Sequence, residues 1–369
     1  MNKFNSIRPY EDAEVKEVLT NLCKNRRFLK TIFATGEYKI LQTLPFSRKI
    51  LSLVLQKKIS GIESIASYQN FFESIVSKVV KKTISSLKVE GINNISKDSS
   101  YLFISNHRDI TLDSALLNLT LHNNNFETTF NAVGNNLLSE PWASDLMRLN
   151  KSFIIDRSDK SKKDIYKSLN LASEFIYQKI NSKRGSIWIA QKQGRSKDGI
   201  DFTDPSVIKM IHLNARKKIK LSEYLNGINV IPVSVSYEKD PNDISKAKEL
   251  YLTDLNQTYN KEPKEDLKSI SEGLRGHKGN VNIVIGKPLN FFHDSYDECA
   301  DLITKTIKKN YFIHSTNIAS LIIQGRKYPD HSYSNDEIDE AIIYLKNRLN
   351  LINEELHPYL LSQYSNSIL

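Results

Sequence analysis

The stretch YLFISNHRDITLD, residues 101–113, opens on the apolar run Tyr101 to Ile104, passes through a short polar loop and reaches a helix start. A strand that runs into such a loop and then into a helix sets the loop at the carboxyl end of a sheet, where α/β proteins usually place their ligands. His107 stands in that loop, with Asp109 and Asp113 close behind it. A neutral imidazole can take a proton from an alcohol when a carboxylate holds its other nitrogen and stabilises the imidazolium that forms, and histidine does this near neutral pH. Either Asp109 or Asp113 can be that carboxylate. The plainer reading of the same residues is a capped helix start.

Outward from this stretch, short β-type runs alternate with helical stretches from about residue 85. The runs lie at 87–89, 101–104, 128–133, 152–155, 186–190, 229–236 and 281–285. Between the fourth and fifth, Ile165, Leu169, Ala172, Ile176 and Ile180 keep a helical period. Alternation of this kind predicts an α/β fold with a central, mostly β-sheet layer flanked by helices. Before it, the spacing predicts helices at 14–31, 46–59 and 68–84, punctuated by Gly36, Pro45 and Gly61. Helices return after about residue 295, where Ser334-Asn-Asp-Glu337 forms a capping box. The expected organisation is an N-terminal helical region over 1–84, a central domain over 85–295 and a C-terminal helical region over 296–369.

The chain has 369 residues, 40% of them hydrophobic and 25% charged, which is the composition of an ordinary globular protein. No apolar run reaches the ~20 residues of a spanning helix, and the first residues lack the apolar core of a signal peptide. A cytoplasmic location is therefore expected. Cys23 and Cys299 lie far apart without metal-ligand spacing, so buried inert thiols are expected, with neither a disulfide framework nor a metal site. The remaining seven histidines form no metal spacing and read as surface or core residues. A net charge of +10 favours an anionic partner: nucleic acid, an acidic membrane or a phosphorylated substrate. The predicted helix 46–59 carries Arg48, Lys49, Lys57 and Lys58 at its ends and Ile50, Leu51, Val54, Leu55 and Ile59 along one stripe. It can pack that stripe on the domain or lie on an anionic membrane.

Three further stretches bear on the chemistry. Arg157 follows a predicted strand, Gly194, Arg195, Ser196 and Lys197 follow another, and Pro232 stands inside a third. Arginines at strand ends can grip a phosphate bidentately, and Gly194 lets the backbone approach and offer its N–H. Lys197 reads as a solvated charge. A base and two phosphate grips on one sheet edge suggest transfer chemistry on a phosphorylated alcohol.

The order of these blocks resembles that of the glycerol-3-phosphate and 1-acylglycerol-3-phosphate acyltransferase family. The residues that carry the resemblance are Asn106-His107-Arg108 with Asp113, Phe153-Ile-Ile-Asp-Arg157, Gly194-Arg195-Ser196, Val230-Ile-Pro232 and the terminal Gly286-Lys-Pro288-Leu. The resemblance covers roughly residues 85 to 290. It implies that His107, oriented by Asp113, deprotonates an acceptor hydroxyl that attacks an acyl thioester on coenzyme A or acyl carrier protein. It further implies that Arg157 and Arg195 hold the acceptor phosphate, with Asn106, Arg108, Gly194, Ser196 and Pro232 lining the substrate site. Pro232 reads as shaping a groove floor or an edge strand, and Trp142 as a packing residue or the border of an acyl groove. The implied partners are a phosphorylated glycerol or lysolipid acceptor, an acyl thioester donor and the cytoplasmic face of an anionic membrane, with no cofactor beyond the thioester co-substrate.

Two departures from the family pattern follow from the residues. Five residues separate His107 from Asp113 where the family has four, so the loop must absorb one before the helix begins. Lys192 and Gln193 stand where the family's glutamate falls. A decayed acyltransferase acting as a membrane scaffold, or an O-acyltransferase of another lipid such as an amino-acid lipid, is the alternative. His-Arg-Asp at 107–109 also opens the protein-kinase catalytic loop, but Ser114 stands where that motif needs asparagine. No nucleic-acid-binding motif is visible.

Overall fold

The structure, a computed structural model, describes residues 3–34, 37–135, 140–156, 161–183, 185–262 and 265–369. Its chain packs into two compact units, residues 1–75 with 130–175, and residues 76–129 with 176–369.

In the first unit the helix expected at 14–31 is two helices, Asp12–Lys24 and Arg26–Ala34. The break is at Asn25, whose backbone is extended and whose side-chain oxygen accepts from the N–H groups of Arg27 and Phe28. An asparagine that caps the next helix in this way ends the preceding one. Helix Ser47–Ile59 matches its expected range, and it buries Leu51 against Leu29 and Phe33. The strands β3 (Phe130–Gly134) and β4 (Ser152–Ile155) of this unit pair in parallel. Phe175 fills the space beside them, with Phe4, Phe130 and Phe153 ringed around it at centroid distances of 4.9 to 5.9 Å. Trp142 lies buried at the start of helix Pro141–Leu149 and packs on Phe28, a packing role.

The second unit holds β1 (Ser86–Glu90), β2 (Leu102–Ser105), β5 (Ile187–Ala190), β6 (Val230–Tyr237) and β7 (Asn280–Ile285), side by side in the order β1-β7-β6-β2-β5. Every pairing is parallel except β6 with β7. The fold class is α/β, a mixed sheet flanked by helices. Residues of one face, Phe103, Ile231, Val233, Val235, Ile283 and Ile285, form one core with Leu112, Leu116, Leu117 and Leu121 of helix Leu112–Asn123. Each such side chain removed from water contributes about 1.5–3 kcal/mol. Pro232 lies in β6, between β2 and β7, and not on an edge strand. Its missing N–H is tolerated and its carbonyl accepts from Gly286, a glycine whose hydrogen leaves room for the proline ring.

Helices Tyr296–Lys309, Ser315–Ile323, Asn335–Leu349 and His357–Ser365 complete this unit. The capping box at Ser334 and Glu337 is formed. Leu345, Leu349, Leu360 and Leu361 build their own core with Ala247 and Ala319. Among the described residues, no helix is long and apolar enough to cross a membrane. Both cysteines are buried, and burial pushes their thiols up from the ordinary value.

Candidate active site

Because β2, β5 and β6 run parallel, the segments that leave their carboxyl ends emerge along one edge of the sheet. His107 is two residues past the end of β2. Its Nδ1 lies 2.8 Å from Asp113 Oδ2, which leaves Nε2 as the ring nitrogen for a substrate. Asp113 begins the first turn of helix Leu112–Asn123 and is fully buried. Its Oδ2 also accepts from the backbone N–H groups of Arg108 at 2.6 Å and Asp109 at 3.0 Å, and its Oδ1 accepts from the Tyr237 hydroxyl at 2.8 Å. Trp188 of β5 supports the imidazole edge-on, 5.8 Å between ring centres.

The extra residue between His107 and Asp113 is taken up before the helix. Asp109 turns away from His107, and its Oδ1 accepts from the N–H groups of Thr111 and Leu112, both at 2.9 Å. It closes the loop as a cap. Burial and the neighbouring charge of Asp113 raise its carboxyl above the usual range. Gly273 gives it room, because a Cβ there would collide with Asp109 Oδ2.

Several residues expected at a substrate face inward instead. Asn106 is buried and grips β6 beyond the end of the β2 ladder, its Oδ1 accepting from Val235 N at 2.8 Å and its Nδ2 donating to Val235 O at 2.9 Å. The side chain thus stands in for a backbone rung. Arg108 is also buried: its Nη2 meets Asp201 Oδ2 at 2.5 Å and its guanidinium lies over Tyr311. Burial works against its charge, but Asp201, Tyr311 and Asp240 together outweigh burial and keep it protonated. Asp201 further accepts from Asn106 and from Gln191, each at 3.2 Å. Ser196 is buried as well; its N–H donates to the His107 carbonyl at 2.7 Å and its hydroxyl to the Ile200 carbonyl at 2.9 Å. Buried Pro232 is structural.

Gly194 and Arg195 do stand on the loop beside this edge. Gly194 has φ +75° with open space where a Cβ would sit, so its backbone is approachable. Arg195 Nη1 donates to Ser269 Oγ at 2.7 Å. Lys197 is not a free surface charge, since its Nζ pairs with Glu249 at 2.6 Å. Lys192 lies over the Phe202 ring and donates to the Ile200 carbonyl at 3.0 Å, and burial lowers its pKa. Arg157 lies outside the described residues.

The loop is closed from the far end of the chain. Asn366 donates to the Asp198 carbonyl at 2.8 Å, and Gly199, at φ +80°, faces the carbonyl of Gln363, which a Cβ would approach to 2.5 Å. Gly199→Ala is expected to lose about 1–3 kcal/mol of stability, since backbone strain and collision act together. Urea unfolding of the variant checks this, and an unchanged midpoint would show that the C-terminal helix does not rest on the loop.

Residues without any sequence signal complete the site. Tyr237 reaches Asp113 from β6. Buried Lys246 donates to the Arg108 carbonyl at 2.8 Å and pairs with Asp240 at 2.5 Å, so that it ties the histidine loop to helix Asp243–Asn256.

Residues 86–235 match the family model described as Acyltransferase. Among solved structures, the chain is similar to the 1-acyl-sn-glycerophosphate (LPA) acyltransferase PlsC from Thermotoga maritima, at 16% identity and a TM-score of 0.40, with 85% of this chain and 98% of that one covered. No curated protein matches it.

Proposed function

We propose that this chain, whose residues 86–235 match the Acyltransferase family model, moves a fatty acyl group from a thioester to the hydroxyl of a phosphorylated glycerol or lysophospholipid. The observation that carries this reading is the pairing of His107 with a fully buried Asp113 on the edge where three parallel strands end. His107 Nε2 takes the proton of the acceptor hydroxyl as its oxygen attacks the thioester carbonyl. The tetrahedral adduct collapses, the C–S bond breaks, and the imidazolium returns its proton to the leaving thiolate. Asp113 stabilises the transient imidazolium, and no acyl-enzyme forms. Arg195 is the group for the acceptor phosphate, and the accessible backbone at Gly194 adds an N–H. The donor is acyl-coenzyme A or acyl carrier protein.

Contact with an anionic membrane is part of the same reading. Phe46 and Leu53 are 75% and 66% exposed on or beside the helix that carries Arg48, Lys49, Lys57 and Lys58. Apolar side chains among cations suit the headgroup layer of an acidic bilayer.

The test is thiol release by the purified protein from acyl-coenzyme A and from acyl carrier protein, with glycerol 3-phosphate, lysophosphatidate and amino-lipid alcohols offered in turn. Acceptor-dependent release is expected with at least one pair. Silence with every pair, while the protein still binds anionic vesicles, would replace the enzyme with a membrane scaffold.

A further inference from the structure

Asp113 makes more contacts than an orienting carboxylate requires. Three N–H donors converge on Oδ2, namely His107 Nδ1 and the backbone amides of Arg108 and Asp109. The other oxygen is met by a single side chain, Tyr237, which comes from 124 residues away. Its approach is set by the strand. Asn106 locks Val235 to the start of the histidine loop, and Tyr237, two positions on, shares that face of β6 and so points to Asp113.

We infer that Tyr237 is a positioning residue of the His107–Asp113 pair, its donated hydroxyl fixing the rotation of the carboxylate and drawing off part of its charge. This rests on the reading of His107 as the base. The phenol cannot itself act as that base, because burial and the carboxylates of Asp113, Asp109 and Asp240 push its pKa well above the ordinary value. It therefore donates at every working pH. A carboxylate that shares its charge with a phenol stabilises the imidazolium less than one that does not, so Tyr237 moderates the hold of Asp113 on the imidazole of His107. The other charged groups facing this cluster are Asp240, Lys246, Lys278, Arg108 and Arg195. Tyr237→Phe removes one oxygen and leaves all of them in place.

The experiment compares the full-length protein with Tyr237→Phe, following the imidazole titration of isotope-labelled histidine by NMR and the pH profile of kcat/KM. His107 is one of only eight histidines, and its resonance is assigned by its loss in His107→Ala. The expected result is an upward move of about 0.5–1 pH unit in both the His107 titration and the acid limb of the profile. At a fixed pH on the acid limb, turnover then falls by about three- to tenfold, in step with the protonated share of His107. A purely structural tyrosine would lower turnover with the titration and acid limb unmoved, and that result overturns the inference. Transfer that survives in His107→Ala would overturn the reading of the base instead, and the imidazole titration would still decide the coupling of Tyr237 to the pair.

Discussion

Replacing His107 with alanine is expected to lower kcat by about 10²–10⁴-fold, the range a positioned general base contributes, while the chain stays folded. The separation of the two effects follows from what remains. Asp113 Oδ2 keeps the Arg108 and Asp109 amides, and Oδ1 keeps Tyr237, so no buried carboxylate is orphaned. The loop is held independently by the Ser196 N–H on the residue-107 carbonyl and by Lys246 on that of Arg108. KM for the acceptor should change little, because in the proposed reaction the imidazole acts on the proton and not on the phosphate. Asp113→Ala is the instructive contrast: it strands three N–H donors and a hydroxyl together, and should lose stability as well as rate. Steady-state kinetics beside thermal unfolding of both variants check this. A His107→Ala protein with near-normal kcat would end the general-base reading.

Asp201→Ala is expected to cost about 3–5 kcal/mol, the penalty for leaving one member of a buried ion pair without its partner. Arg108 would remain in the interior with a charge that Asp201 now neutralises at 2.5 Å, and Asn106 and Gln191 would each lose an acceptor. Against a total stability of about 5–15 kcal/mol, such a loss leaves a small margin. Arg108→Met combined with Asp201→Leu should recover much of it, since a well-packed apolar pair leaves nothing unpaired. Urea unfolding of both single variants and the double variant gives the coupling directly. A single-variant loss below about 1 kcal/mol, the scale of an exposed pair, would show that Arg108 finds water and that the site does not stand on this pair.

Much of the sheet was legible because its signal is local. The runs expected at 152–155 and 281–285 agree with β4 and β7 to within a residue, and 229–236 with β6, since apolar runs between turn residues mark strands. That His107 has an aspartate partner was legible for a similar reason, as it and both Asp109 and Asp113 lie within one strand-loop-helix unit, but the residues alone left the choice between the two open. The direction of loop side chains was not. Asn106, Arg108 and Ser196 are polar residues in a polar loop, and nothing in their spacing tells whether a polar group faces a ligand or a buried partner. Val235 and Asp201, the partners of Asn106 and Arg108, lie more than 90 residues downstream, and Tyr237 lies 124 beyond Asp113. Such contacts exist only once the strands are ordered in the sheet. Asn25 was missed because one hydrogen-bonding side chain overrode a helical spacing that continues across it.

The loop that bears Arg195 is completed by residues that the ribosome reaches much later. Glu249, Ser269 and Asn366 each hold one of its positions, and none of them lies within the family-like segment 86–235. During synthesis the histidine and its aspartate leave the ribosome early, whereas the anchors of the Arg195 loop follow one after another, with Asn366 the last. The order of translation therefore delays the finished site: a growing chain carries His107 and Asp113 long before it carries the settled loop beside them.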